Sequence, residues 1–176
     1  MQKRHLILIA LLALGACVAP PPPPPQAPKT VSAPPAAVAA PTPKLAGDWN
    51  DWPFTPGDWT YRRDGQGSVG IFGAPGQGTK VSLRCEAQKR HLYLSREVSV
   101  PGQRIIVRTS STTKDLSAKS AGGAPGYIAA EIAPNDPILD AMAFSRGRIL
   151  LETEGQPPII LPTWAEITRI VEDCRG

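Results

Sequence analysis

Six consecutive prolines, Pro20–Pro25, lie inside a Pro- and Ala-rich segment that continues to about Leu45. Proline fixes φ and lacks a backbone N–H, so such a segment forms neither a helix nor a central strand. We expect an extended spacer that rises about 3.1 Å per residue, so that roughly 26 residues span at most about 80 Å. Residues 17–45 are therefore predicted to be a linker, either a stalk or a tether without a partner of its own. The hydrophobic core must come from residues 46–176, which suffice for one domain.

The residues before the linker form an apolar run, Leu6–Leu14, which follows Lys3 and Arg4. A basic start, a short apolar stretch and small residues are the layout of a secretory signal peptide. Nine apolar residues are too few to cross a bilayer, because a membrane-spanning helix needs about 20. Residues 1–16 are predicted to be a cleaved signal.

The end of this run, Leu14-Gly15-Ala16-Cys17, resembles the lipobox of bacterial lipoproteins. The resemblance implies cleavage before Cys17 and attachment of several acyl chains, such as palmitate, at that residue. Two or more chains are what stable anchoring requires. Val18 stands where the family's inner-membrane retention signal has Asp, so the resemblance favours the outer membrane, facing the periplasm. An ordinary signal peptide with an incidental cysteine is the alternative.

The charge of the chain argues against nucleic acid as a partner. Of 19 Lys and Arg residues, Lys3 and Arg4 lie in the predicted signal, so 17 remain against 15 Asp and Glu, a net charge of +2. A nucleic-acid-binding domain is expected to carry a basic patch or stripe, and none is visible here. The predicted partners are the membrane, through the lipid anchor, and a component of the cell wall or an envelope protein.

Two cysteines, Cys85 and Cys174, remain if Cys17 is acylated. An even pair in an exported protein predicts a disulfide. Together with His91 they do not show zinc-ligand spacing, and no C-x-x-C redox motif is present. We predict no metal site and no cofactor.

From Trp59 onward, apolar residues mostly alternate with polar ones between Gly, Pro and Asp turns, which is typical of antiparallel strands. Two segments instead predict helices. Asp136-Pro137 is an N-cap followed by proline at the first helical position, leading into Ile138–Ala143. Near the C-terminus, the segment Thr163–Glu166 fits a capping box. The apolar stripe of this predicted helix consists of Trp164, Ile167, Ile170, Val171 and Cys174. Predicted strands occupy 59–63, 68–72, 80–85, 91–96, 104–109, 127–132, 149–152 and 159–161, and Ser110–Gly126 is predicted to be a long polar loop.

The resulting fold class is α+β, with a mostly antiparallel curved sheet or small open barrel, one short helix and a C-terminal amphipathic helix. Four aromatic residues precede or begin the first strand, and prolines between them exclude a regular helix. We expect this lead-in to pack on the core, because Trp buries more area than other residues; a sugar-stacking platform is the alternative. These residues are Trp49, Trp52, Phe54 and Trp59.

No motif of a known reaction is present, so no catalytic residue is predicted. His91 lies in a strand pattern, and Ser145 lacks the G-x-S-x-G context of a hydrolase nucleophile. The acids that remain cannot be placed across a cleft from spacing alone. They are Glu131, Asp136, Asp140, Glu152 and Glu154.

The corner between the short helix and the next strand carries Ser145, Arg146 and Arg148. Loops on a rigid scaffold commonly carry recognition, and arginine suits carboxylate-bearing partners, so this corner is the candidate binding surface. Ion pairs that hold the corner together are the alternative. The expected function is a non-catalytic binding or structural module presented on a lipid-anchored stalk. The plan is similar to that of the lysozyme-inhibitor lipoproteins of Gram-negative envelopes, although their Ser-Gly-x-x-Tyr type signature is not present. A cell-envelope hydrolase is a further alternative.

Overall fold

The computed structural model describes residues 45–100 and 102–176. The predicted signal peptide, Cys17 and nearly all of the predicted linker lie outside the described residues. Among the residues that are described, no helix has both the length and the apolar character needed to cross a membrane.

The described chain forms nine strands, two α helices and one short 3₁₀ turn, Trp49–Asp51. The strands are β1 (Asp58–Asp64), β2 (Gly67–Gly73), β3 (Val81–Glu86), β4 (His91–Val98), β5 (Arg104–Arg108), β6 (Thr113–Gly122), β7 (Gly126–Ile132), β8 (Arg148–Glu152) and β9 (Ile159–Pro162). The helices are α1 (Pro137–Ala143) and α2 (Ala165–Arg175).

The strands form one antiparallel sheet in the order β1-β2-β3-β4-β7-β6-β5-β8-β9. This sheet curls into a half-barrel, which confirms the predicted fold class. Its two outer strands come close enough for the indole Nε1 of Trp59, on β1, to donate to the Pro162 carbonyl of β9 at 3.0 Å. The backbone N–H of Thr55 also donates to Ile160 O at 2.9 Å, so the lead-in occupies the free edge of β9.

The core fills the space between the curled sheet and the two helices. The predicted inward positions of the strands are buried, including Leu83, Leu92, Leu94, Ile105 and Val107. Helix α2 buries its stripe of Ile167, Ile170, Val171 and Cys174 against β1 to β4 and α1. The sheet and each helix would expose an apolar face if they stood alone. Packing the helices on the sheet buries these faces together.

A charged side chain also lies in the interior. Arg96, on β4, is 2% exposed and donates to the Pro157 carbonyl at 2.9 Å and to the Leu151 carbonyl at 3.3 Å. Burial lowers the pKa of Arg96 to about 10, because removal from water disfavours the cation. Strands β4 and β8 are not neighbours in the sheet order, so this side chain joins opposite walls of the half-barrel.

The predicted disulfide is confirmed. Cys85, on β3, is bonded to Cys174 in the last turn of α2, with their Cα atoms 5.4 Å apart. The bond ties the C-terminal helix to the sheet across 89 residues of sequence.

One strand was predicted wrongly as a loop. Within Ser110–Gly126, residues Thr113–Gly122 form the longest strand, β6. Only Leu116 and Ala118 of this strand are buried, so the segment has too few apolar residues to predict a strand locally. Pairing with β5 on one side and β7 on the other stabilises it, which is a tertiary effect that overrides weak propensity.

The predicted capping box of α2 is also wrong. The N-cap residue is Trp164, which makes no side-chain capping hydrogen bond. The N–H of Thr163 instead donates to Gly147 O at 3.4 Å, because Thr163 continues from β9 beside the start of β8. Trp164, predicted to lie on the apolar stripe, is 37% exposed. By contrast, Asp136 caps α1 as predicted, accepting from the Ile138 N–H at 3.0 Å.

Candidate functional site

Three segments that are distant in sequence surround a polar cavity at the end of the sheet where β5 ends and β8 begins. Its volume is about 490 Å³, within the range of about 300 to 1,000 Å³ that is typical of small-molecule sites. We call it the arginine cavity. It is lined by Trp49, Asn50, Arg108, Thr109, Ser110, Ser111, Thr112, Thr113 and Arg146, none of which is acidic.

The floor of the arginine cavity is the loop between β5 and β6, and Thr109 holds it in shape. This threonine is 4% exposed. Its hydroxyl accepts from the Thr112 N–H at 3.0 Å and donates to the Thr112 carbonyl, also at 3.0 Å. Because the side chain satisfies the backbone locally, the loop has a fixed conformation without a helix or ladder.

A pair of serines joins this loop to the corner after α1. The Ser110 N–H donates to Ser145 Oγ at 2.9 Å, and the Arg146 N–H donates to Ser110 Oγ at 2.9 Å. Ser145 Oγ also donates to the Arg148 carbonyl at 2.5 Å. Ser145 is 6% exposed, so this predicted contact residue positions the loop and does not face a ligand.

Arg108 has one edge that is free of partners. Its Nη2 donates to Glu152 Oε2 at 3.2 Å. Its Nε is buried and has no hydrogen-bond partner among the described residues. A buried donor that is left unpaired costs on the order of 1 to 3 kcal/mol. Because this Nε is itself buried, a ligand in the cavity would meet other parts of the Arg108 side chain, which is 40% exposed as a whole.

Arg146 supplies the second cation of the arginine cavity. Its side chain is exposed, and it forms no ion pair within the part of the chain that the structure describes. Its backbone is fixed by Ser110, whereas its guanidinium is available to a ligand.

Arg148, the third predicted contact residue, is directed toward the lead-in. Its Nη1 donates to the Trp52 carbonyl at 2.8 Å, and its guanidinium carbon lies 4.7 Å from the centre of the Phe54 ring. A cation over an aromatic face contributes about 0.5 to 1 kcal/mol at an exposed site. Arg148 therefore holds the lead-in, and with it Trp49, beside the arginine cavity.

The acids near this corner pair with other elements. Asp136 binds Lys114 of β6, and Asp140 binds Arg175 of α2 at 2.8 Å. Burial opposes ionisation of Asp136, but Lys114 and the Ile138 N–H outweigh it and lower its pKa. Neither of these acids pairs with an arginine of the cavity. Arg108 has its own ion pair with Glu152 at 3.2 Å, whereas Arg146 has none among the described residues.

The aromatic lead-in divides between core and surface. Only Trp59, 5% exposed, belongs to the core. Trp52 donates its indole N–H to Ala46 O at 3.2 Å, and Phe54 is 46% exposed beneath Arg148. Trp49 is half-buried and lines the arginine cavity. The expectation that the lead-in packs on the core holds for Trp59 and does not extend to Phe54.

The side chains considered for catalysis are engaged elsewhere. His91 pairs through Nδ1 with Glu131 across β4 and β7. The Ser145 hydroxyl is fixed by its two hydrogen-bond partners, the Ser110 N–H and the Arg148 carbonyl. In residues 45–100 and 102–176, no group of three or more His, Cys, Asp or Glu side chains is arranged to hold a metal ion.

Comparison with protein-family models, curated proteins and solved structures gave no match for this chain.

Sequence reasoning missed the members of the cavity that lie outside the corner. Arg108 ends a strand and is followed by five consecutive hydroxyl residues, Thr109–Thr113. That run was the available signal, since loops held by a rigid scaffold commonly carry binding residues. No local signal connects it with Trp49, because 59 residues separate Trp49 from Arg108 in the chain.

Proposed function

We propose that the protein is a lipid-anchored envelope lipoprotein whose folded domain binds a carboxylate-bearing partner in the arginine cavity and catalyses no reaction. The observation that carries the binding proposal is the cavity itself, in which two arginines face a space without an acidic lining residue. Arginine presents fixed donors in a planar fork that matches a carboxylate.

The rigidity of the cavity supports binding. The serine pair and the Thr109 turn fix the loop before any ligand arrives. A site that is already ordered loses less conformational entropy on binding. This arrangement is what a recognition site needs, and it requires no motion of the sheet.

The anchor rests on the lipobox resemblance and on the linker. Acylation of Cys17 would hold the chain at the membrane, and residues 17–45 would carry the domain up to about 80 Å away. At that distance the arginine cavity can meet the cell wall or another envelope protein. Sorting to the outer membrane is part of the proposal, because Val18 replaces the retention residue Asp.

Mass spectrometry of the membrane fraction tests the anchor. We expect a mature chain that begins at an acylated Cys17, and Cys17→Ser should move the protein out of the membrane fraction. A soluble mature protein that carries a free thiol at Cys17 would contradict the anchor.

Crosslinking and pull-down from the protein's own envelope test the binding role. Arg146→Ala combined with Arg108→Ala should weaken capture of the partner. The matched control is Arg62→Ala, on the exposed face of β1, where no ion pair is formed among the described residues. Capture of a lysozyme-like enzyme would favour the inhibitor alternative. Turnover of a peptidoglycan or ester substrate that is lost on changing His91 would contradict the non-catalytic role.

A further inference from the structure

We propose that the ligand of the arginine cavity is a saccharide that carries a carboxylate, an acidic sugar unit. This inference rests on the proposed binding function and specifies its ligand. Three kinds of group line one cavity, and the argument depends on their combination.

The two arginines favour an anion. The Arg146 guanidinium has no ion-pair partner among the described residues, whereas Arg108 is already paired on one side with Glu152. The Arg108 side chain is 40% exposed and lies in the same lining. Two guanidinium groups can bind the two oxygens of one carboxylate, and this interaction is stronger than a hydrogen bond between neutral groups. Anions such as phosphate share this property, so the arginines alone do not identify the ligand.

The remaining polar lining favours a ligand that is rich in hydroxyl or amide groups. Ser110, Ser111, Thr112 and Thr113 are exposed, and Asn50 lies in the same lining with its amide nitrogen donating to Asp48 Oδ1 at 2.8 Å. Hydroxyl and amide groups both donate and accept, so they match sugar hydroxyls and N-acetyl groups in either direction. A bare phosphate or a small organic acid would leave most of these groups unused.

Trp49 provides the one large apolar surface of the cavity. It is half-buried, and the Arg148 contacts to Trp52 and Phe54 hold its segment in place. The carbon face of a pyranose ring can bury against an indole ring, which combines an apolar surface with a polar edge. A single apolar side chain of this size suits one sugar ring, whereas a peptide ligand would require several apolar pockets.

Two sources of such a sugar are distinguishable. The first is cell-wall glycan from which the stem peptides have been removed, because only then is the lactyl carboxylate of its muramic acid units free. The second is an acidic polysaccharide that contains uronic acids. Both present a carboxylate beside hydroxyl groups on a six-membered ring, which is the shared chemistry that the cavity recognises.

Titration of the full chain with defined sugars tests the proposal. Calorimetry and the NMR signal of the Trp49 indole N–H report binding. The probes are a muramic-acid-containing disaccharide, a glucuronate disaccharide, the same two sugars with the carboxylate reduced to an alcohol, acetate and inorganic phosphate. We expect at least one acidic sugar to bind and to shift the Trp49 signal. Its reduced form should bind at least about tenfold more weakly, since one charged hydrogen bond is worth about that factor.

Variants assign the contacts. Arg146→Gln and Trp49→Ala should each lower the affinity by about tenfold or more, and Trp49→Phe should retain part of it. Arg62→Gln and Phe144→Ala should leave it unchanged, since Phe144 is 76% exposed and does not line the cavity. Thermal unfolding of Arg146→Gln should match that of the unchanged protein.

The proposal is overturned if the reduced sugars bind as well as the acidic ones, if phosphate or acetate binds as tightly, or if Arg146→Gln has no effect. The pull-down from the envelope distinguishes failure of the acidic-sugar proposal from failure of the proposed binding function. A chain that still captures an envelope protein through Arg108 and Arg146 but binds no acidic sugar would retain the proposed function and lose this ligand. A chain whose capture does not depend on either arginine would lose both.

Discussion

At the scale of single residues, the predicted binding corner separates into groups that build the site and groups that face a ligand. Ser145 is buried and joins two loops, and Arg148 fixes the lead-in. Arg146 is the member of the trio that lines the cavity, and it is exposed. A polar cluster read from sequence thus contained both roles, and burial distinguishes them.

This division predicts opposite effects for neighbouring substitutions. Ser145→Ala removes the acceptor of the Ser110 N–H and the donor to the Arg148 carbonyl. We expect it to lower the free energy of unfolding by about 1 to 3 kcal/mol, because buried partners are left unpaired. Arg146→Gln should change it by less than about 0.5 kcal/mol, as surface substitutions usually do. Urea denaturation measures both, and equal losses would show that Arg146 also holds the corner.

At the scale of elements, the close packing of α2 on β2 depends on a glycine within the strand. A Cβ on Gly70 would lie 2.5 Å from Ile170 Cδ1 and 3.5 Å from the Trp59 ring. Glycine in a strand interior weakens the strand, but it permits this approach of the helix.

Gly70→Val should therefore destabilise the domain by about 1 to 3 kcal/mol through overpacking. The matched control is Gly65→Ala, since a Cβ there meets no atom within 4 Å. Thermal or urea unfolding reports the difference. If Gly70→Val were as stable as the control, α2 would have to pack less closely on β2 than the structure shows.

The disulfide secures the other end of the same helix. Reduction, or Cys85→Ala combined with Cys174→Ala, opens a crosslink across 89 residues. In the chain-entropy model this removes about 4 to 5 kcal/mol of stability. We expect a much lower urea midpoint in the reductant-treated protein, with the sheet still formed where folding persists. An unchanged midpoint would mean that α2 docks through its apolar face alone.

At the scale of the whole molecule, three carboxylates join distant elements and make stability depend on acid. A hydrogen bond from Arg84 lowers the pKa of Asp64 to about 2. Burial raises the pKa of Asp136, but hydrogen bonds from Lys114 and the Ile138 N–H outweigh burial and lower it. Burial likewise opposes ionisation of Asp173, but hydrogen bonds from Tyr61 and Arg63 lower its pKa. These contacts connect β1 with β3, α1 with β6, and α2 with β1.

A pKa that is lower in the folded state means that the unfolded chain binds more protons at mildly acidic pH. The stabilisation is therefore present above about pH 4, the usual pKa of Asp, and is lost as the pH falls toward 2. Urea denaturation between pH 7 and pH 2 should show a falling free energy of unfolding below about pH 4.5. Asp173→Asn should flatten this fall, whereas Asp58→Asn, at the exposed start of β1, should not. If Asp173→Asn had the same pH profile as the unchanged protein, Asp173 would not contribute to the loss of stability in acid.

The sequence by itself determined the features that neighbouring residues encode. Alternation with a period of two, together with short apolar runs on either side of turn residues, predicted eight of the nine strands, and Asp136-Pro137 predicted the start of α1. The even pair of cysteines predicted the disulfide. These signals are local or depend on counting, so they can be recognised without three-dimensional information.

Only the tertiary structure decided the features that depend on distant partners. β6 is a strand because β5 and β7 pair with it, and Trp164 replaces Thr163 as the α2 cap because Thr163 binds the Gly147 carbonyl. The arginine cavity combines Trp49, Arg108 and Arg146, which are 59 and 38 positions apart in the chain. No short segment contains the site, since the curl of the sheet and the return of the lead-in along β9 bring its three parts together.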